Sequence, residues 1–171
     1  MDKTFLFAKV DIPPIPEWLI DYCYSLINET KSTKIELDTR SLSWAKEFIH
    51  RDVTGIYISI SPVGIDKTEP HVSSTQNFTL IYLLKHGGFD HHTVFYRPTD
   101  ISQIQVDSKY KVTSNIEEIT RIQIPLQNWT LINSKVLHGV EHILDERISI
   151  CVRLDSIPAE FILKNIIEIE P

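Results

Sequence analysis

The stretch FTLIYLLKHGGFDHHTVFY, residues 78–96, decides the fold class. Its two ends, Phe78 to Leu84 and Thr93 to Tyr96, are dense in β-branched and aromatic side chains, which suit a pleated, half-buried strand. Between them Lys85-His86-Gly87-Gly88-Phe89-Asp90 supplies a turn, because glycine adopts positive φ without a Cβ clash. The same composition recurs on both sides. Val53 to Ile60, Gln103 to Val112, Ile116 to Ile124, Lys135 to Val140 and Arg147 to Leu154 all read as strands.

Helices precede them. Ile12-Pro13-Pro14-Ile15-Pro16 is a stiff extended connector, each proline fixing φ and removing a backbone donor. It leads into Glu17 to Glu29, where Trp18, Leu19, Tyr22 and Leu26 make one apolar helical face. A shorter helix is expected over Ser43 to His50, with Trp44, Phe48 and Ile49 inward. Helices followed by closely spaced strands predict an α+β, mainly β domain with a barrel or jelly-roll core. Ala159 to Glu168 closes it either as a helix packed on that core or as an edge strand.

The chain has 171 residues, which suits one domain, 1–171, and one core. Its 42% apolar and 23% charged residues are the balance of a globular protein rather than a disordered one. Apolar runs such as Phe78 to Leu84 fall far short of the about 20 residues a bilayer span needs, so no membrane association is expected. Met1 to Phe7 lacks the pattern of a secretion signal, which points to a cytoplasmic protein with Cys23 and Cys151 reduced and buried. A net charge of -6 without a Lys/Arg cluster argues against nucleic acid as a partner.

Of the seven histidines, His71 and His138 stand where a strand-borne metal site would need them. His71 opens Pro70-His71-Val72-Ser73 ahead of a strong strand, and His138 lies in the strand-like Val136 to Val140. They are far apart in the chain, so only a fold that returns on itself can join them. Arg147 and Ser149 share one strand face, as does Arg153, because side chains alternate with period two. His91 and His92 diverge in an extended chain and read as a solvated turn, and His142 as surface or support. Tyr82 and Tyr96 are either contacts to a bound carboxylate or core residues.

The segment Pro70 to Leu154 resembles the catalytic core of the Fe(II)/2-oxoglutarate-dependent oxygenases, particularly prolyl-hydroxylase-like and phage-type members. His71 matches the first histidine of that family's His-x-Asp pair. Gly87-Gly88 and Thr93-Val94-Phe95 match its turn and strand, His138 its distal histidine, and Arg147-Ile148-Ser149 its closing element. The resemblance implies a double-stranded β-helix (jelly roll, cupin-like) with N-terminal helices packed on the core. It implies Fe(II) on His71 and His138, and 2-oxoglutarate on Arg147 and Ser149 with Tyr82 as a further contact. The reaction implied is oxidative decarboxylation to succinate and CO2 coupled to hydroxylation of a small molecule or a protein side chain.

One position departs from the pattern: Ser73 stands where the metal-binding aspartate belongs. A neutral hydroxyl is a poorer Fe(II) ligand and compensates less of the metal's charge. Three outcomes follow. A halide fills the vacancy, as in the family's halogenases, which carry Ala or Gly there. Another carboxylate substitutes, for which Glu69, Asp90 and Glu141 are candidates. Or metal and catalysis are lost, leaving a binding or structural module, phage-derived by its resemblance.

Overall fold

The computed structural model describes residues 3–64, 66–99, 104–105, 111–112 and 115–170. Among the described residues two helices, α1 (Glu17–Glu29) and α2 (Thr39–Phe48), accompany twelve strands, so the fold is α+β and mainly β. The strands are β1 (Thr4–Val10), β2 (Lys34–Glu36), β3 (Gly55–Ser61), β4 (Phe78–His86), β5 (His92–Pro98) and β6 (Ile104–Gln105). They continue as β7 (Lys111–Val112), β8 (Ile116–Ile122), β9 (Trp129–Asn133), β10 (His138–Glu141), β11 (Arg147–Leu154) and β12 (Leu163–Ile169).

A seven-stranded sheet runs β12-β1-β9-β4-β11-β3-β2, a three-stranded sheet β10-β5-β8, and β6 pairs with β7. These pairings are antiparallel. Single bridges Lys67↔Glu141 and His71↔His138 extend the small sheet beyond β10. Along the chain the path therefore goes large sheet (β3), small (bridges), large (β4), small (β5, β8), large (β9), small (β10), large (β11). The two sheets face each other like a β-sandwich.

Strand β11, Arg-Ile-Ser-Ile-Cys-Val-Arg-Leu, sorts the layers. Ile148, Ile150, Val152 and Leu154 point to one side, where they join Leu19 and Cys23 of α1 and Trp44 and Ala45 of α2 in a helix-covered core. Cys151 points to the other and packs with Ile81, Phe95, Ile122 and Ile132 between the sheets. Burial of this order, roughly 1.5–3 kcal/mol for each fully covered aliphatic or aromatic side chain, is what offsets chain entropy. Both cysteines are buried and unpaired.

The helices begin where the chemistry allows. Pro16 precedes α1, with Glu17 in the first turn complementing the helix dipole. Asp38 caps α2, accepting from the Ser41 N–H at 2.9 Å and its hydroxyl at 2.7 Å. That cap starts α2 four residues before the expected Ser43, and Phe48, expected inward, is 50% exposed beside Trp44. The 159–168 segment resolves to the edge strand β12, paired with β1. Strands β1, β2 and β9 were not expected from the sequence. Of the strand expected over Gln103 to Val112, only 104–105 and 111–112 are described; the rest lies outside the described residues. No helix among the described residues is long and apolar enough to cross a membrane.

Candidate functional site

His71 and His138 meet across an antiparallel bridge. The His71 N–H donates to the His138 carbonyl at 2.9 Å, and the His138 N–H returns the bond at 3.0 Å. That pairing sets the two rings 4.8 Å apart between centroids. Each Nδ1 faces a backbone carbonyl, His71 that of Glu69 at 3.0 Å and His138 that of Val136 at 2.7 Å. A carbonyl only accepts, so each Nδ1 carries a hydrogen, and in the neutral ring Nε2 is left with the lone pair. No described residue hydrogen-bonds either Nε2. Imidazoles oriented by a carbonyl on the far nitrogen are the form in which histidine ligates a metal. Burial, with the neighbouring His71 adding to it, pushes His138 down to about 4, so its ring is neutral near pH 7.

Both histidines line a cavity of about 750 Å³ between the sheets, together with Ser73, Arg147 and Ser149. That volume is in the range of small-molecule sites. These five of the expected residues thus converge on one space, drawn from three separate segments of the chain.

Arg147 is the most unusual member. It is 5% exposed, its Nε has no hydrogen-bond partner, and no carboxylate among the described residues pairs with it. Burial pulls its guanidinium below its usual range. Thr93, also lining the cavity, keeps an unpartnered buried hydroxyl. Ser149, 1% exposed, lies two residues along β11, its Oγ 3.5 Å from the Cys151 Sγ. Gly87 makes the placement of Arg147 possible, since a Cβ there would stand 2.7 Å from the Arg147 Cβ. Arg153, equivalent by strand parity, is occupied: its guanidinium pairs with Glu36 and lies over the Tyr57 ring.

Ser73 is held by its backbone. Its N–H donates to the Ser134 carbonyl at 2.7 Å and its carbonyl accepts from Lys135 Nζ at 2.9 Å. Its hydroxyl accepts from the Thr75 N–H at 3.3 Å, closing a local turn. Beyond it a polar chain runs from Thr75 through Gln76 to Thr79 and Ser134.

The three substitute carboxylates do not complete a triad. Glu141 accepts the Tyr96 hydroxyl at 2.6 Å, Asp90 lies 3.8 Å from His92 in the turn, and Glu69 lines the cavity. Among the described residues, no group of three or more His, Cys, Asp or Glu side chains could hold a metal ion.

Two tyrosines fall elsewhere. Tyr82 is out of phase with the cavity-facing Ile81 and packs against Trp129 in the helix-side core. Tyr96 is likewise out of phase with Phe95 and is buried with Val94 and Leu137 in a separate cluster on the small sheet. His91, expected in a solvated turn, is 5% exposed, whereas His142 is exposed as expected. Cys151, Tyr57 and Lys34 line the cavity without having been anticipated. The alternation Arg147, Ser149, Cys151 carried the signal for the first; the others depend on sheet pairing that no local pattern encodes.

No protein-family model matches the chain, and no curated protein matches it. Among solved structures, the X-ray structure of E. coli ycfD is similar over 93% of this chain and 44% of that one, with 12% identity and a TM-score of 0.47. The chain spans less than half the length of that protein.

Proposed function

We propose that the chain is an oxidoreductase-like protein of the Fe(II)/2-oxoglutarate oxygenase kind, built on a double-stranded β-helix and carrying a metal site reduced to His71 and His138. The path of the chain supports the fold reading: eight segments in chain order, β3, the Lys67/His71 bridges, β4, β5, β8, β9, β10 and β11, interrupted only by the β6–β7 pair among the described residues, are shared four and four between two facing sheets. That alternation between sheets is what a double-stranded β-helix would require.

The observation that carries the functional reading is Arg147. A buried guanidinium without a counter-charge costs several kcal/mol unless something anionic joins it. The cavity beside it has room for a dicarboxylic 2-oxo acid. Arg147 would take the far carboxylate in a two-pronged hydrogen bond, with the Ser149 hydroxyl adding a third contact. The acid's other end would then lie toward the histidines.

For the metal the fit is partial. The two Nε2 lone pairs suit a ferrous ion, and the neutral state of His138 keeps one ready without a proton to displace. Fe(II), when bound, would supply dioxygen activation coupled to decarboxylation of the 2-oxo acid. The absent carboxylate lowers affinity, because one anionic ligand and its charge are missing.

A second reading, a non-catalytic module that binds a dicarboxylate, is favoured by one observation: the Ser73 hydroxyl is engaged in its own turn with Thr75. Ser73→Asp separates the two. The proposal expects the native protein to form succinate from 2-oxoglutarate with Fe(II), the substitution being neutral or harmful. Turnover and higher Fe(II) affinity gained only in Ser73→Asp, where the native protein gives no succinate, would mark a decayed site and leave only the module. Failure of the native protein to bind 2-oxoglutarate at millimolar concentration would overturn both.

A further inference from the structure

Behind Arg147, outside the cavity, lies a pair of histidines. His86 stands opposite Arg147 in the β4–β11 ladder. Its ring is stacked on that of His91, with centroids 5.3 Å apart and planes 1° from parallel. The two differ in what surrounds their nitrogens. His86 Nδ1 accepts from the Gly88 N–H at 3.0 Å, a bond that protonation of that nitrogen would break. His91 is the reverse case, with Nδ1 2.9 Å from the Gly88 carbonyl and Nε2 3.2 Å from the Ile124 carbonyl.

A neutral imidazole donates from one nitrogen only, so one of those carbonyls faces a lone pair. The imidazolium would satisfy both. The geometry at His91 is therefore that of a charged ring, in a place where a charge is opposed. Burial opposes it first, and the positive Arg147 and the His86 ring add to the opposition, so His91 stays below its ordinary range.

The other ionisable groups nearby are committed elsewhere. Asp90 and His92 flank His91 and approach each other at 3.8 Å. His142 lies against His92, and the Asp145 carboxylate accepts from the Glu146 N–H. Glu146 pairs with Lys85 at 2.7 Å. The 123–127 segment offers the Ile124 carbonyl and no ionisable side chain. Arg147 is thus the adjustable charge.

We infer that His91 is the proton acceptor of the anion site: a carboxylate bound at Arg147 neutralises a positive charge that adds to burial in opposing a second proton on the His91 ring, so ligand binding takes up a proton there. This rests on the reading of Arg147 as a carboxylate anchor. By reciprocity a lower pH tightens the anion, and a larger negative charge on the ligand gives a larger uptake. The site would favour dicarboxylates over neutral analogues by more than the Arg147 contact alone provides.

The test is calorimetric titration of the full chain with 2-oxoglutarate between about pH 6 and pH 8, a window in which both its carboxylates stay ionised. Repeating it in buffers of different ionisation enthalpy counts the protons taken up. In the native protein the affinity is expected to be about fivefold higher at the lower end of that range, with a fraction of one proton bound per ligand. In His91→Gln, which keeps an N–H donor and cannot charge, the affinity should vary less than about twofold. Ring resonances of His91, followed by NMR in the native protein, should titrate at higher pH once ligand is added. That measurement needs no variant to fold. Binding with a flat pH profile, no proton uptake and an unmoved His91 titration would overturn the role of His91 and leave the anchor intact. No binding at any pH would overturn the anchor and this inference together.

Discussion

Arg147 is held where folding alone would not put it. Removing an unpaired buried charge relieves a desolvation cost, so Arg147→Met, which keeps the length of the stem, is expected to raise stability by about 1 kcal/mol or more in ligand-free protein. The urea midpoint measures it; a fall of comparable size would mean that the guanidinium has a structural partner. His138 sets the acid limit. Its folded value of about 4 lies below that of the free side chain, so its contribution is present above pH 6.5 and is lost as pH falls toward 4. In metal-free protein the loss is up to ~3 kcal/mol, and His91, lowered in the same direction, adds to it. Comparing urea unfolding at neutral and acid pH checks this, with the dependence expected to shrink in His138→Asn. At this scale the sequence was readable wherever strand parity and an ordered set of residues agree, as for His71, His138, Arg147 and Ser149. It was silent on the partner that separates Arg147 from Arg153, because Glu36 arrives through β2, a three-residue strand with no periodicity of its own.

Among the elements, the β4–β5 turn does more than reverse the chain. Gly87 has φ +82, and a Cβ there would collide with Arg147. Gly87→Ala is expected to cost about 1–3 kcal/mol, since the backbone must distort or the arginine must move, and dicarboxylate affinity should fall with it. Thermal unfolding and calorimetry on the same variant read both effects; a variant as stable and as tight as the native protein would contradict the account of the turn. The strands that flank this turn were legible because a glycine pair punctuates two β-rich runs. β1 was not, and β12 was left open between helix and edge strand, since each finds its partner at the opposite end of the chain and a register over that separation leaves no local trace. β9 had the composition, Trp-Thr-Leu-Ile-Asn, but is only five residues long, below what alternation can resolve. α2 was misplaced at its start because Asp38, its cap, lies outside the apolar periodicity.

Over the whole molecule, the sheets and helices divide the work. The helix-side core of β11 anchors the strand rigidly, while its other face turns Arg147, Ser149 and Cys151 into the cavity. One strand thus joins the most buried packing to the least satisfied charge. A ligand that binds only the folded state should stabilise the entire domain, by about 2.7 kcal/mol at a hundred times its dissociation constant. The most direct measurement is calorimetric titration of 2-oxoglutarate into the native chain and into Arg147→Met, without metal and under anaerobic conditions. Saturable binding at one site in the native chain, lost in Arg147→Met while the variant remains folded, is the expected result. Equal binding by both, or none by the native chain at millimolar ligand, would contradict it.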